Sequence, residues 1–262
     1  MPAALGVTPT SVAPVVAPVA AGVVAATTAS ATASTAPVVI SDAGNSILYD
    51  AEPALRLALG TAPFRNHTIG GFGVSVLPEV WQGVFGRDVP ADHPAVVVVM
   101  MGNRDFPVAL AQPDVYRSEL DQAVRLVTSG GTRVLWLGLP PLPPNVLDER
   151  GREAVNALFA ELPTRFPGLV HYVATDAVLG APEGTFARSL PGADGRVVPV
   201  RKENPDGTPN EHLCPEGAVR LTTLIREQLA SLVALPAAPS AWQAAAWRTD
   251  PRFDDPVDGC RS

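Results

Sequence analysis

Four short clusters in this chain bring together residue types that can do acid–base or nucleophilic work. Ser41-Asp42-Ala43 closes an apolar run. Asn66-His67-Thr68-Ile69-Gly70-Gly71-Phe72-Gly73 and Gly102-Asn103-Arg104-Asp105 follow, and the last cluster runs from Asp206-Gly207 to His212-Leu213-Cys214-Pro215. Attack on an acyl carbonyl needs a hydroxyl, a base within hydrogen-bond reach and donors aimed at the developing oxyanion. His212 suits the base, because imidazole titrates near neutrality. His67, His93 and His171 have no ligand spacing of the kind zinc needs, and no metal or organic cofactor is implied.

The elements that must position these clusters alternate short apolar runs with longer amphipathic ones. Residues 38–40 read as a buried strand ending at Ser41-Asp42, and a helix is expected over 46–59 with Leu48, Leu55 and Leu59 inward. Residues 95–101 (AVVVVMM) are apolar on both faces, as a central parallel strand must be. A helix over 114–128, a strand over 132–137, a helical stretch over 148–166 and a strand over 169–174 come next. A Gly/Pro/Asp-rich loop then leads to a last helix over 216–232. The alternation predicts an α/β fold, a three-layer α/β/α sandwich on a mostly parallel flavodoxin-like sheet. Ligands of such sheets sit at the carboxyl ends of the strands, where all four clusters fall.

The order of the clusters resembles that of the SGNH/GDSL hydrolases, including the SGNH domains that accompany actinobacterial acyltransferases. The resemblance spans nearly everything from Val38 to Leu232. The family's opening strand ends in Gly-Asp-Ser, and here Ser41-Asp42-Ala43 takes that place, so the resemblance implies a nucleophile position lost to Ala43. Ser46, three residues on and roughly 4.5 Å of helix rise away, is either a substitute hydroxyl or a helix cap that shares the task with Asn45. Gly71 falls in the block whose glycine N–H serves the oxyanion. Asn103 matches the family's second oxyanion donor one place early, with Arg104 in the usual position. His212 matches the closing general base, but Pro209 occupies the slot of the orienting aspartate, leaving Asp206 to serve if residues 208–210 loop out. Asp42, Arg104 and Asp105 are expected around the pocket, the last two as a salt bridge at its rim or as a site for an anionic group.

A length of 262 residues suits one domain with tails, and 47% hydrophobic residues can bury a sizeable core. The net charge of −7 excludes a nucleic-acid or anionic-membrane surface. Residues 1–37 hold five prolines and no charge, and read as a disordered arm or linker. Neither a cationic signal-peptide head nor an uninterrupted membrane span is present there, so any such segment lies outside this sequence. The domain is expected over 38–235, with a tail over 236–262 too rich in Trp and Phe for a free linker. An extracellular or cell-envelope location, implied by the resemblance, pairs Cys214 with Cys260; two buried thiols are the alternative.

Three functions stay open. One is an acyl-ester hydrolase or O-acyltransferase for an acylated saccharide or small ester, using His212, Asp206 and Ser46 or an activated water. The second is a catalytically inactive domain that binds an acylated or glycan ligand. The third, implied by the resemblance, is the soluble part of a larger membrane acyltransferase, where it would play an auxiliary role.

Overall fold

Val96–Met100 are all fully buried, and this strand lies at the centre of the sheet. The computed structural model describes residues 37–144 and 149–261; the expected arm falls outside them apart from Pro37, as does the expected helix start at Asp148. In chain order the first half comprises β1 Ile40–Gly44, α1 Ser46–Ala58, β2 Phe64–Thr68, α2 Pro78–Gly83, α3 Val89–Asp92, β3 Val96–Met100, α4 Phe106–Ala111, α5 Pro113–Val127 and β4 Arg133–Leu137. The second comprises α6 Glu149–Ala160, α7 Leu162–Arg165, β5 Val170–Val173, α8 Asp176–Leu179, β6 Ser189–Pro191, β7 Val197–Pro199, β8 Arg201–Glu203, β9 Pro209–Leu213 and α9 Pro215–Leu232. Three 3₁₀ turns between Trp242 and Asp254 form the tail.

Five strands make one parallel sheet in the order β2-β1-β3-β4-β5. The chain reverses direction beside β1, so right-handed crossovers put α1 on one face and α5 and α6 on the other. α9 packs along α1, and α4 packs against α5 and α6. The main core runs from Ile40 and Leu48 through Trp81 and Tyr116 to Trp136 and Phe159, whose rings lie 5.1 Å apart. The tail packs Trp242 and Phe253 on Ala54, Ala58 and Ala218, covering the seam between α1 and α9.

Three expectations need correction. First, β1 does not end at Ser41-Asp42 but runs on to Gly44. Both polar side chains are buried and partnered, Ser41 donating to Asp92 Oδ2 at the end of α3 at 3.3 Å and Asp42 accepting from Asn66 Nδ2 of β2 at 3.0 Å. Second, Phe64–Thr68 is a strand, polar because it pairs only with β1 at the sheet edge. Third, the expected loop before α9 carries two antiparallel hairpins, β6–β7 and β8–β9.

Candidate active site

The turn from β1 into α1 is tight enough to dictate its residues. A Cβ on Gly44 would lie 2.0 Å from the Met100 carbonyl oxygen of β3, so only glycine fits. Asn45 is the N-cap of α1: its Oδ1 accepts from the N–H groups of Ile47 at 3.2 Å and Leu48 at 3.4 Å. Ser46 is therefore the first helical residue and not the cap. Its side chain is partly exposed and its Oγ bonds to none of the described residues. Ala43, by contrast, is 1% exposed inside β1, between His67 and Val99 of its neighbours. It is not at the strand-to-helix turn; Gly44-Asn45-Ser46 is.

One helical turn after Ser46, on the same face, the Asp50 carboxylate points at β9. Its Oδ2 accepts from the Leu213 N–H at 2.8 Å and lies 3.0 Å from His212 Nδ1. Asp50 is 2% exposed, while the His212 side chain keeps 31% of its surface open. His212 Nε2 has no partner among the described residues. An imidazole whose Nδ1–H is fixed by a buried carboxylate presents a bare Nε2, the tautomer a general base needs. Asp206, the expected orienting residue, is instead exposed at the tip of the β8–β9 hairpin. It accepts from the Thr208 hydroxyl and N–H, which hold its carboxyl below the ordinary range. His212 lies on the returning strand, and the hairpin geometry keeps the two apart.

Ser46, Asp50 and His212 line a cleft of about 820 Å³, together with Tyr49, Thr68, Gly70, Lys202 and Asn210. The tail supplies the remaining wall through Asp250, Pro251, Arg252, Asp255 and Pro256. Arg252 lies 4.1 Å from the centroid of the Tyr49 ring and reaches Glu52 at 3.4 Å and Asp250 at 3.0 Å. Cys214 and Cys260 form a disulfide with Cα atoms 5.5 Å apart, which ties the end of the tail beside His212.

Gly71 and Asn103 do not line this cleft. Gly70 takes the place expected of Gly71: a Cβ there would sit 4.0 Å from Ser46 Cβ. The N–H groups of Gly70 and of Ser46, at the positive end of α1, make no backbone hydrogen bond. Asn103 is partly exposed, with no side-chain hydrogen bond among the described residues. Arg104 is exposed and does not pair with Asp105. Asp105 is buried and pins residues 74–76, accepting from the N–H groups of Val74, Ser75 and Val76 and from Tyr116 Oη. Burial raises its carboxyl above the usual value against the pull of those donors. Asp42 is likewise removed from the cleft, buried in the sheet, where desolvation pushes its carboxyl up to about 8 despite the His67 N–H. The Asp42, Arg104 and Asp105 side chains therefore belong to the scaffold and surface, not to the pocket.

Asp50 and Lys202 had no motif to announce them. The one available signal was Gly44-Asn45-Ser46 itself: a glycine, a strong capping residue and a hydroxyl at a helix start, with a carboxylate four residues on.

The five-stranded parallel sheet flanked by helices is the fold of the SGNH/GDSL hydrolases. Solved structures similar to it include a protein described as an acylhydrolase from Bacteroides fragilis, 18% identical with a TM-score of 0.53, covering 74% of this chain and 88% of that one. A GDSL-like lipase from Bacteroides thetaiotaomicron is 16% identical with a TM-score of 0.51, covering 74% and 89%. A family 3 carbohydrate esterase from Clostridium thermocellum is 12% identical with a TM-score of 0.51, covering 75% and 98%. The chain belongs to the family described as protein of unknown function (DUF459), which matches residues 80–228, more than half its length. No curated protein sequence matches it.

Proposed function

We propose that the protein is an acyl-ester hydrolase or O-acyltransferase with Ser46 as nucleophile, His212 as general base and Asp50 as the orienting acid. The observation that carries this reading is the His212 ring, held at Nδ1 by buried Asp50 with Nε2 unpartnered, in the cleft that the Ser46 hydroxyl also lines. Ser46 Oγ attacks the acyl carbonyl as its proton passes to His212 Nε2. The negative oxygen of the tetrahedral intermediate is met by the N–H groups of Ser46 and Gly70. His212 returns the proton to the leaving alkoxide, and the acyl group stays on Ser46 until water or an acceptor hydroxyl removes it.

The cleft lining favours a polyhydroxyl substrate such as an acylated saccharide: Thr68, Asn210, Asp250 and Asp255 are polar, and the Tyr49 ring is 43% exposed at the edge. The alternative of an inactive binding domain rested on Ala43, and the position of Ser46 favours the enzyme over it. The disulfide, together with the absence among the described residues of a helix long and apolar enough to cross a membrane, fits an exported domain, alone or as part of a membrane acyltransferase.

Hydrolysis of 4-nitrophenyl acetate by the unaltered chain, Ser46→Ala and His212→Ala tests this. Both substitutions are expected to lower kcat by roughly 10³-fold or more. A Ser46→Ala protein as fast as the unaltered chain would remove Ser46 from the mechanism.

A further inference from the structure

At the Asp50 carboxylate oxygen that His212 does not contact lies a lysine that the proposed chemistry does not use. Lys202, on β8, is 2% exposed. Its Nζ lies 3.6 Å from Asp50 Oδ1 and donates to two tail carbonyls, Arg252 O at 2.7 Å and Asp255 O at 2.9 Å. Burying an ammonium and a carboxylate is unfavourable unless each finds a counter-charge and its hydrogen bonds. Lysine is almost never fully buried unless it is paired. The Asp50 carboxylate needs a cation in the resting site, and a neutral His212 supplies none.

Of the other charged groups around Asp50, those on its own helix and on the tail are engaged with one another. On its own helix, Glu52 pairs with Arg56 and Arg252. On β8, Arg201 is fully buried and donates to the Glu211 carbonyl through Nη1, while its Nε and Nη2 have no hydrogen-bond partner among the described residues; its charge acts on Asp50 and Glu211 without touching the Asp50 carboxylate. From the tail, Arg252 is held by Asp250 and Glu52, and Asp255 presents its carbonyl to Lys202. Lys202 is the cation in contact with Asp50 that His212 does not supply.

We propose that Lys202 is a positioning residue: seated on the Arg252 and Asp255 carbonyls, its ammonium gives Asp50 a permanent counter-charge, so that His212 rests as a neutral base and the tail becomes a working part of the site. The inference rests on the Ser46–His212–Asp50 reading for its meaning in catalysis. Without the ammonium, the buried carboxylate takes its counter-charge from His212, and the imidazolium, which cannot accept the Ser46 proton, persists to higher pH.

The test compares the full-length chain with Lys202→Gln, which keeps a donor for the tail carbonyls but removes the charge, and with Lys202→Arg, which keeps the charge. Lys202→Met replaces the first variant should glutamine not be accommodated. In the pH–rate profile for 4-nitrophenyl acetate, the acid limb of Lys202→Gln is expected to move up by about 1 pH unit, the order of the effect that a nearby charge has on a titrating group. The rate would fall about ten-fold below the limb and recover above it, with KM within two-fold. Lys202→Arg is expected to keep the unaltered limb. Independently of turnover, ¹⁵N spectra of the His212 ring near pH 7.5 should show a several-fold larger doubly protonated fraction in Lys202→Gln. A ring spectrum identical in the two proteins overturns the proposal, whether or not any ester is cleaved. A changed ring in a protein that cleaves no ester sustains the role of Lys202 and removes the hydrolase reading alone.

Discussion

At the scale of single residues, two buried aspartates do opposite things. Asp50 is hydrogen-bonded to a base and has cations near it; Asp42 lies in the sheet with amide donors, the repulsion of Glu52 and a weaker pull from Arg56. Asp50→Asn should leave the fold intact while lowering kcat by about 10²–10⁴-fold, because the amide favours the wrong His212 tautomer. Steady-state rates beside circular dichroism check this. Asp42 binds its proton more tightly in the folded chain, at about 8 against the usual 3.8. Its ionisation therefore costs nothing below about pH 4, costs progressively more from there to about pH 8, and costs in full above, on the order of a few kcal/mol at ~1.4 kcal/mol per unit. Thermal melts should show the unaltered protein losing stability between pH 5 and 8, a loss that Asp42→Asn does not share. Sequence alone could not separate the two. Asp42 sits in the motif-like Ser41-Asp42-Ala43, and Asp50 sits unmarked in the middle of a helix.

At the scale of elements, the site depends on where β1 stops. A strand ending is legible when polar residues mark it, and Ser41-Asp42 misled because both are buried and hydrogen-bonded, one to α3 and one to β2. The helix that follows was legible to within a residue, since Leu48 and Leu55 repeat at helical spacing. Gly44 is the hinge between them. Gly44→Ala would press a methyl group into the Met100 carbonyl and shift β3 or the head of α1. It should cost about 1–3 kcal/mol in urea unfolding, by analogy with overpacked cores. It should also lower esterase activity more than its stability loss explains, because the displaced atoms include Ser46. Asn45→Ala, which removes only the cap, should cost about 1 kcal/mol.

At the scale of the whole molecule, the parallel sheet was legible because its central strand is apolar on both faces and its crossovers alternate with it. The edge strand β2 and the three-residue strands β6 to β8 were not, being too polar or too short for any period to show. The cleft wall was legible only in outline, as an aromatic tail with a cysteine at its end. Cys214 and Cys260 close a loop over 46 positions, worth about 4 kcal/mol on the chain-entropy estimate. Cys260→Ser should lower the unfolding free energy by up to that amount and reduce esterase activity, while far-ultraviolet circular dichroism keeps the signature of the sheet and helices. An activity unchanged in Cys260→Ser would show that the tail holds its place through Trp242, Phe253 and Lys202 alone.

The order of these parts along the chain sets the order in which they can be finished. Ser46, Asp50, Lys202 and His212 all leave the ribosome before the segment that walls them in, and Cys260 follows every one of them. The cleft wall is the last part of the site to be synthesised, and the Cys214–Cys260 bond that ties it down is one that forms where thiols are oxidised. For an esterase bound for export, the reactive serine would spend its passage through the reducing interior in an unfinished site, and become competent after the cell's own esters are out of reach.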